Sequence, residues 1–213
     1  MFDFLVSALT FASLYGLMAL GLNLQAGYGG LLNFGHIAFA GLGAYGTGIA
    51  VQAGYSPWLG MAFGVLLAMG LGGCVARLGR KLASDYWGIA TLAIAEILRV
   101  VATNEGWLTG GAQGIGAIPT LFDGVAFLLM MLALLGIATL LCQRLADGRF
   151  GRALRLMREE PQLAACMGYD LTSLKSRAIM ASAALTAIAG SLYAHFMSYV
   201  GPVFLLASET FLL

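Results

Sequence analysis

The sequence predicts an all-α polytopic membrane protein of about six or seven transmembrane helices. Three observations carry this. Of 213 residues, 60% are hydrophobic and only 10% charged, well outside the range of soluble domains. The apolar residues fall in successive runs near the ~20 residues that cross a bilayer. Charge gathers in one interval, since Arg144 to Arg177 holds seven of the eleven basic and four of the ten acidic residues. A net charge of +1 names no partner. The basic residues sit mainly in two loops at span ends, a pattern that points to a lipid bilayer and no nucleic acid.

The start, Met1-Phe2-Asp3, lacks the positive region of a cleavable signal. The first helix is therefore expected to be retained, from Phe4 to about Leu24. Asn23 to Ala50 comes next, with eight glycines and with Gln25, Asn33 and His36. Interior glycine costs a helix about 1 kcal/mol relative to alanine, so Gly27, Gly29 and Gly30 predict a break. Broken backbone at membrane depth survives only where protein or a water-filled cavity surrounds it, and transporters often place their pathway there. Asn23, Gly27, Gly30, Asn33 and His36 are thus pathway candidates. The alternative for any one glycine is close helix packing.

Tyr55-Ser56-Pro57 reads as a turn and Trp58 as an interfacial anchor. In the next span Gly60, Gly64, Ala68 and Gly72 recur every fourth residue, a small face for close contact. Arg77, Arg80 and Lys81 end it and mark a cytoplasmic loop. The following span runs from Tyr86 to about Thr103. Within it Glu96 and Arg99 are neighbours on one face. They form either a structural ion pair or a pathway contact, because intramembrane charge is expensive and tends to be functional. Asn104 to Thr120 is a glycine-rich loop on the far side without the lysine ending of a phosphate loop. Leu121 to Cys142 then returns to the basic side.

The interval 144–177 reads as two short helices. Phe150, Ala153, Leu154 and Met157 form an apolar stripe. Pro161 suits a first helical turn, with Glu159 and Glu160 at the positive end of the dipole. Leu163 and Met167 share a face. Gly168 fits a left-handed stop, and Asp170 can cap the next element. Such a segment is either a solvated loop obeying the positive-inside rule or a docking face. Ala178 to about Val200 spans again, with Ser182, Thr186, Gly190 and Ala194 as a second small face. His195 near its end reads as interfacial and not as a metal ligand. Cys74, Cys142 and Cys166 show no metal or redox spacing, and no metal, cofactor or catalytic residue is expected. The chain stops at Phe211-Leu212-Leu213 inside an apolar segment, which predicts a protein that continues beyond it.

Two stretches resemble a known family. Gly21-Leu22-Asn23-Leu24-x2-Gly27-Tyr28-x-Gly30-Leu31-Leu32-x-Phe34-Gly35-His36-x-Ala38-Phe39-x3-Gly43-Ala44-Tyr45 resembles the branched-chain amino acid permeases of ATP-binding cassette importers. So does Thr109-Gly110-Gly111-x2-Gly114-Ile115. Gly151-Arg152-Ala153, Arg158-Glu159-Glu160 and Ala164-Ala165-x2-Gly168 resemble their cytoplasmic coupling loop. The usual Glu-Ala-Ala-x3-Gly is here Gln162-Leu163-Ala164-x3-Gly168, without the acid and the first alanine. The resemblance implies one permease domain over 1–213 with a coupling loop at 144–177. Arg152, Arg158, Glu159, Glu160, Leu163, Ala164 and Gly168 would meet the ATPase. It implies ATP-binding cassette subunits, a second homologous permease and an extracytoplasmic solute-binding protein as partners in the inner membrane. An ion-coupled secondary transporter is the alternative, and it would rest on Glu96.

Overall fold

The computed structural model describes residues 1–79, 84–206 and 210, with side chains from Tyr86 onward in the helix that begins at Ser84. Arg80, Lys81 and the terminal Phe211 to Leu213 lie outside the described residues. The elements are α1 Phe2–Leu22, a π-helical extension Asn23–Tyr28, α2 Ile37–Gln52, α3 Pro57–Leu78 and α4 Ser84–Asn104. After these come α5 Gly106–Thr109, β1 Ile115–Gly116, α6 Gly124–Asp147, α7 Arg149–Glu159, α8 Pro161–Cys166, α9 Leu171–Met197 and β2 Tyr199–Val200.

Among the described residues five helices are long and apolar enough to cross a membrane, the first including the π extension. With 16 residues, α2 is shorter. At ~1.5 Å per residue it spans about 24 Å, less than the ~30 Å hydrocarbon core. The non-helical stretch 29–36 precedes it, where the sequence predicts a break. Against the six or seven expected, five full spans are present among the described residues, with α2 a shorter apolar helix beside them.

α9 is the central post. In its most apolar window 61% of residues are buried, against 28–39% for the other four spans. One side of it packs α1 and α6 through Leu17, Met18, Met131 and Leu192. The other packs α2 and α3 through Phe39, Ala68, Ile179 and Ala183. Both small-residue faces read from the sequence are buried. Backbones approach closely there, as small residues permit. A Cβ on Gly190 would strike the Ala40 carbonyl, and one on Gly64 would lie 2.8 Å from the Gly43 carbonyl. Ser191 adds a hydroxyl hydrogen bond of 2.9 Å to Gly43 O.

The two ends are closed differently. At one end α7, α8 and the start of α9 share a small core of Leu154, Met157, Ala164 and Leu174. At the other, β1 pairs antiparallel with β2, Ile115 opposite Val200. His195 lies buried there, and its Nδ1–H donates to Pro119 O at 2.7 Å. It is a packed residue that fastens the loop.

Gly190→Val should lower stability by about 1–3 kcal/mol or more, the cost of overpacking, because the neighbour is backbone and cannot turn aside. Gly136→Val, with open space at its Cβ, should be near neutral. Thermal unfolding of the two variants in detergent checks the contrast.

Candidate translocation and coupling site

The break in the first span begins as a π-helix, Asn23–Tyr28. Such turns are rare and recur at functional sites. A Cβ on Gly27 would displace the exposed Asn23 side chain. The helix end is then closed by its own chain. Gly30 N donates to Ala26 O at 3.1 Å and Leu31 N to Gln25 O at 3.0 Å. Gly30 takes φ +65°, a left-handed value that favours glycine. Asn33 Oδ1 accepts from Gly35 N at 2.9 Å and turns the chain back into the bundle.

The turned chain carries His36 into a buried polar hub. Gln25, His36, Ser182 and Thr186 are all fully buried, and Asn33 nearly so. Thr186 Oγ1 donates to Ser182 O at 2.9 Å, so it accepts from His36 Nε2 at 2.8 Å. The proton therefore sits on Nε2, which also lies 3.2 Å from Met18 O. Nδ1 is left as acceptor for the Gln25 amide at 2.6 Å. Asn33 Nδ2 reaches Gln25 Oε1 at 3.4 Å, and Ser182 Oγ donates to Gly21 O at 2.6 Å. One neutral histidine thus joins the broken helix to α1 and α9.

The charged helix α7 caps this break from the basic end. Gly27 O is among the last carbonyls of a helix, which have no partner within it. Arg158 Nη1 donates to it, placing a cation at the negative end of the helix dipole. Arg155 stands over the Tyr28 ring at 5.1 Å, within cation–π range. Arg152 turns away and donates to Asp147 O at 2.7 Å.

α8 carries the remaining expected residues. Pro161 opens it and Ala164 anchors it in the small core. Gly168 stops it with φ +84°, and Asp170 Oδ1 caps α9 by accepting from Thr172 N at 2.9 Å. Glu159 and Glu160 are exposed. Leu163 and Met167 are 50% and 62% exposed, an apolar pair outside the bundle.

The pathway candidates do not all converge. Asn33 and His36 meet Gln25 in the hub, whereas Gly27 and Gly30 meet Arg158 and Asn23 is exposed. Glu96 stands apart on α4, half exposed and paired with Arg99 at 2.5 Å. Sequence reasoning passed over Gln25 as a candidate and saw Thr186 and Ser182 only as small packing residues. The polar types on an otherwise apolar helix were the available signal. Thr91 was also missed; its Oγ1 accepts from Phe34 N at 3.2 Å.

Residues 4–212 match the family described as branched-chain amino acid transport system, permease component. The chain belongs to that family. It is 30% identical to the high-affinity branched-chain amino acid transport system permease protein LivM of Salmonella typhimurium, over 98% of this chain and 56% of the relative. It is 29% identical to the probable LivM permease of Methanocaldococcus jannaschii, over 90% and 67%. With LivH of Salmonella typhimurium it shares 24% identity over 92% and 71%. The chain thus spans little more than half the length of the Salmonella LivM protein. No solved structure matches it. As a member of this permease family with five spanning helices, it is a multi-pass protein of the inner membrane.

Gln25→Leu should cost about 1–3 kcal/mol, because it strips a donor from a buried imidazole nitrogen. Its effect and that of Thr186→Val should fail to add, by about 0.5 kcal/mol or more, since both act through His36. A double-mutant cycle by thermal unfolding measures this.

Proposed function

We propose that the chain is a membrane-spanning permease subunit of an ATP-driven importer that moves branched-chain and other hydrophobic amino acids by alternating access. Residues 1–213 act as one permease domain, with 144–177 as its cytoplasmic coupling loop. The observation that carries this reading is the Arg158 cap on the broken end of the first span. It ties a surface element directly to the irregular backbone that ends the first span.

The chemistry is mechanical. The exposed pair Leu163 and Met167 offers α8 to a cleft on an ATP-binding cassette subunit, with Glu159 and Glu160 beside it. Ala164 shares a core with Leu154 and Met157, so α7 follows α8. Arg158 then passes the displacement to Gly27 and the re-entrant stretch. Nucleotide hydrolysis belongs to the partner. A second, homologous permease completes the pathway, and an extracytoplasmic solute-binding protein delivers the amino acid. An ion-coupled mechanism needs a carboxylate free to titrate inside the bundle, and Glu96 is instead partly exposed and paired.

Leucine uptake by vesicles holding the assembled transporter should survive collapse of the proton gradient and stop when ATP is depleted. The reverse pattern would assign a secondary transporter. Gly168→Ile places a β-branched residue at φ +84°, a strain of roughly 1–3 kcal/mol. It should cut uptake at least tenfold while leaving membrane insertion and ATP hydrolysis in place. Parallel uptake and phosphate-release assays read the uncoupling, and normal uptake would remove α8 from the coupling path.

A further inference from the structure

A recess of about 180 Å³ lies at the basic end, lined by Gly30, Gly79, Trp87, Met157, Arg158 and Lys175. The re-entrant stretch, the end of α3, and α4, α7 and α9 all reach it. Its inner wall is closed, because Leu31, Gly79, Trp87 and Met157 are buried, while Arg158 forms an exposed lip. A single water needs roughly 10–15 Å³, so a phosphate group fits with water around it. Glycine brings two donors close to backbone. A Cβ on Gly79 would strike the Trp87 ring, and one on Gly30 would lie 2.7 Å from Arg158 Cγ.

The charge of this recess is one-sided. Arg158 and Lys175 border it, and among the described residues no carboxylate lines it. Arg158 gives one N–H to Gly27 O, which leaves most of the five donors of its guanidinium. Lys175 has no hydrogen bond or ion pair among the described residues. Of the acids next to lining residues in the chain, Asp170 is occupied by the N–H groups of Thr172 and Ser173. The others, Glu159 and Glu160, are exposed. The buried wall adds a neutral donor. Trp87 is 7% exposed, and its indole N–H has no hydrogen-bond partner among the described residues. A buried donor left in that state is costly, and an acceptor in the recess is the partner it lacks.

We propose that this recess binds a phosphate-bearing anion, the headgroup of an anionic lipid. Lys175 supplies the free charge, Arg158 the remaining N–H groups of a guanidinium suited to phosphate, and Trp87 the neutral donor. The place in the fold favours a headgroup over a free ion. Tyr86 and Trp87 stand where the span of α4 starts, and such aromatic residues gather at headgroup level. Basic pockets between helices on the cytoplasmic side bind anionic headgroups. Leu78 and Tyr86, next in the chain to Gly79 and Trp87, are 76% and 66% exposed and offer acyl chains an apolar surface. Bound there, the anion offsets the like charges of α7 and α9 beside the carbonyl that Arg158 caps.

Lipid binding to the assembled transporter tests this. The assembly in a non-ionic detergent is titrated with phosphatidylglycerol, and bound lipid is read by native mass spectrometry. Phosphatidylcholine is the lipid control, and inorganic phosphate alone, read by thermal shift, is the second arm. Lys175→Gln should weaken phosphatidylglycerol binding about tenfold, the loss of one charged contact. Lys175→Arg keeps the charge and should restore it, which tells a lost contact from a damaged fold. Arg177→Gln removes the same charge two residues away, at an exposed position outside the lining, and should change little. Equal losses in Lys175→Gln and Arg177→Gln would overturn the proposal, since a diffuse basic face would then suffice. So would no loss in either, or phosphatidylcholine bound as tightly as phosphatidylglycerol. A response to inorganic phosphate alone, lost in Lys175→Gln, would keep the anion site and overturn the lipid as its occupant. Binding is read without uptake, so its failure would leave the importer reading standing, and absent uptake would leave the site standing.

Discussion

The fold depends on how a broken helix is made tolerable where water is scarce. Each unbonded backbone group in hydrocarbon costs several kcal/mol. The stretch from Asn23 to His36 exposes such groups and then satisfies them from three directions. Its own turn takes up the carbonyls of Gln25 and Ala26. A guanidinium from outside the bundle takes that of Gly27. Side chains of Asn33 and Thr91 take the N–H groups of Gly35 and Phe34. The neutral imidazole of His36 locks the returning chain to α9. Removing any one of these leaves a buried polar group without its partner, at a cost of roughly 1–3 kcal/mol.

This arrangement links two regions that are far apart in sequence. Arg158 and Gly27 are separated by 131 residues, and His36 and Thr186 by 150. Both contacts end on the same re-entrant segment, one from the basic surface and one from the central post. Under the proposed coupling, a displacement of α7 would reach the break through this guanidinium, which bonds one of the last carbonyls of the helix. α4 borders the other side of that segment, where Thr91 Oγ1 accepts from Phe34 N. A single element of irregular backbone thus meets α7, the post and α4 together.

Local chemistry made much of this legible in advance. Pro161, Gly168 and Asp170 announce the limits of α8 and α9 because starts and stops are set within a few residues. The small faces on α3 and α9 were legible because a period of four survives any tertiary context. The glycine cluster at 27–30 announced the break, though not its π form. Pairing across the bundle stayed hidden. Nothing near His36 names Thr186, and nothing near Gly27 names Arg158. Glu96 drew notice because charge in a span is costly, yet that rule is silent on direction, and Glu96 faces outward with Arg99 at its side. Thr91 escaped notice for the converse reason, since a single hydroxyl in an apolar span looks ordinary until its partner is seen. The antiparallel pair β1–β2, two residues long on each side, is too short for any periodicity to reveal.

The most direct test of the central claim is the ratio of amino acid imported to ATP hydrolysed when Arg158 is replaced by alanine in the reconstituted assembly. Arg152→Ala is the control, as its guanidinium bonds Asp147 O within the surface loop. Continued hydrolysis with uptake reduced at least tenfold for Arg158→Ala, and little change for Arg152→Ala, is the expected result. An unchanged ratio for Arg158→Ala would contradict the account.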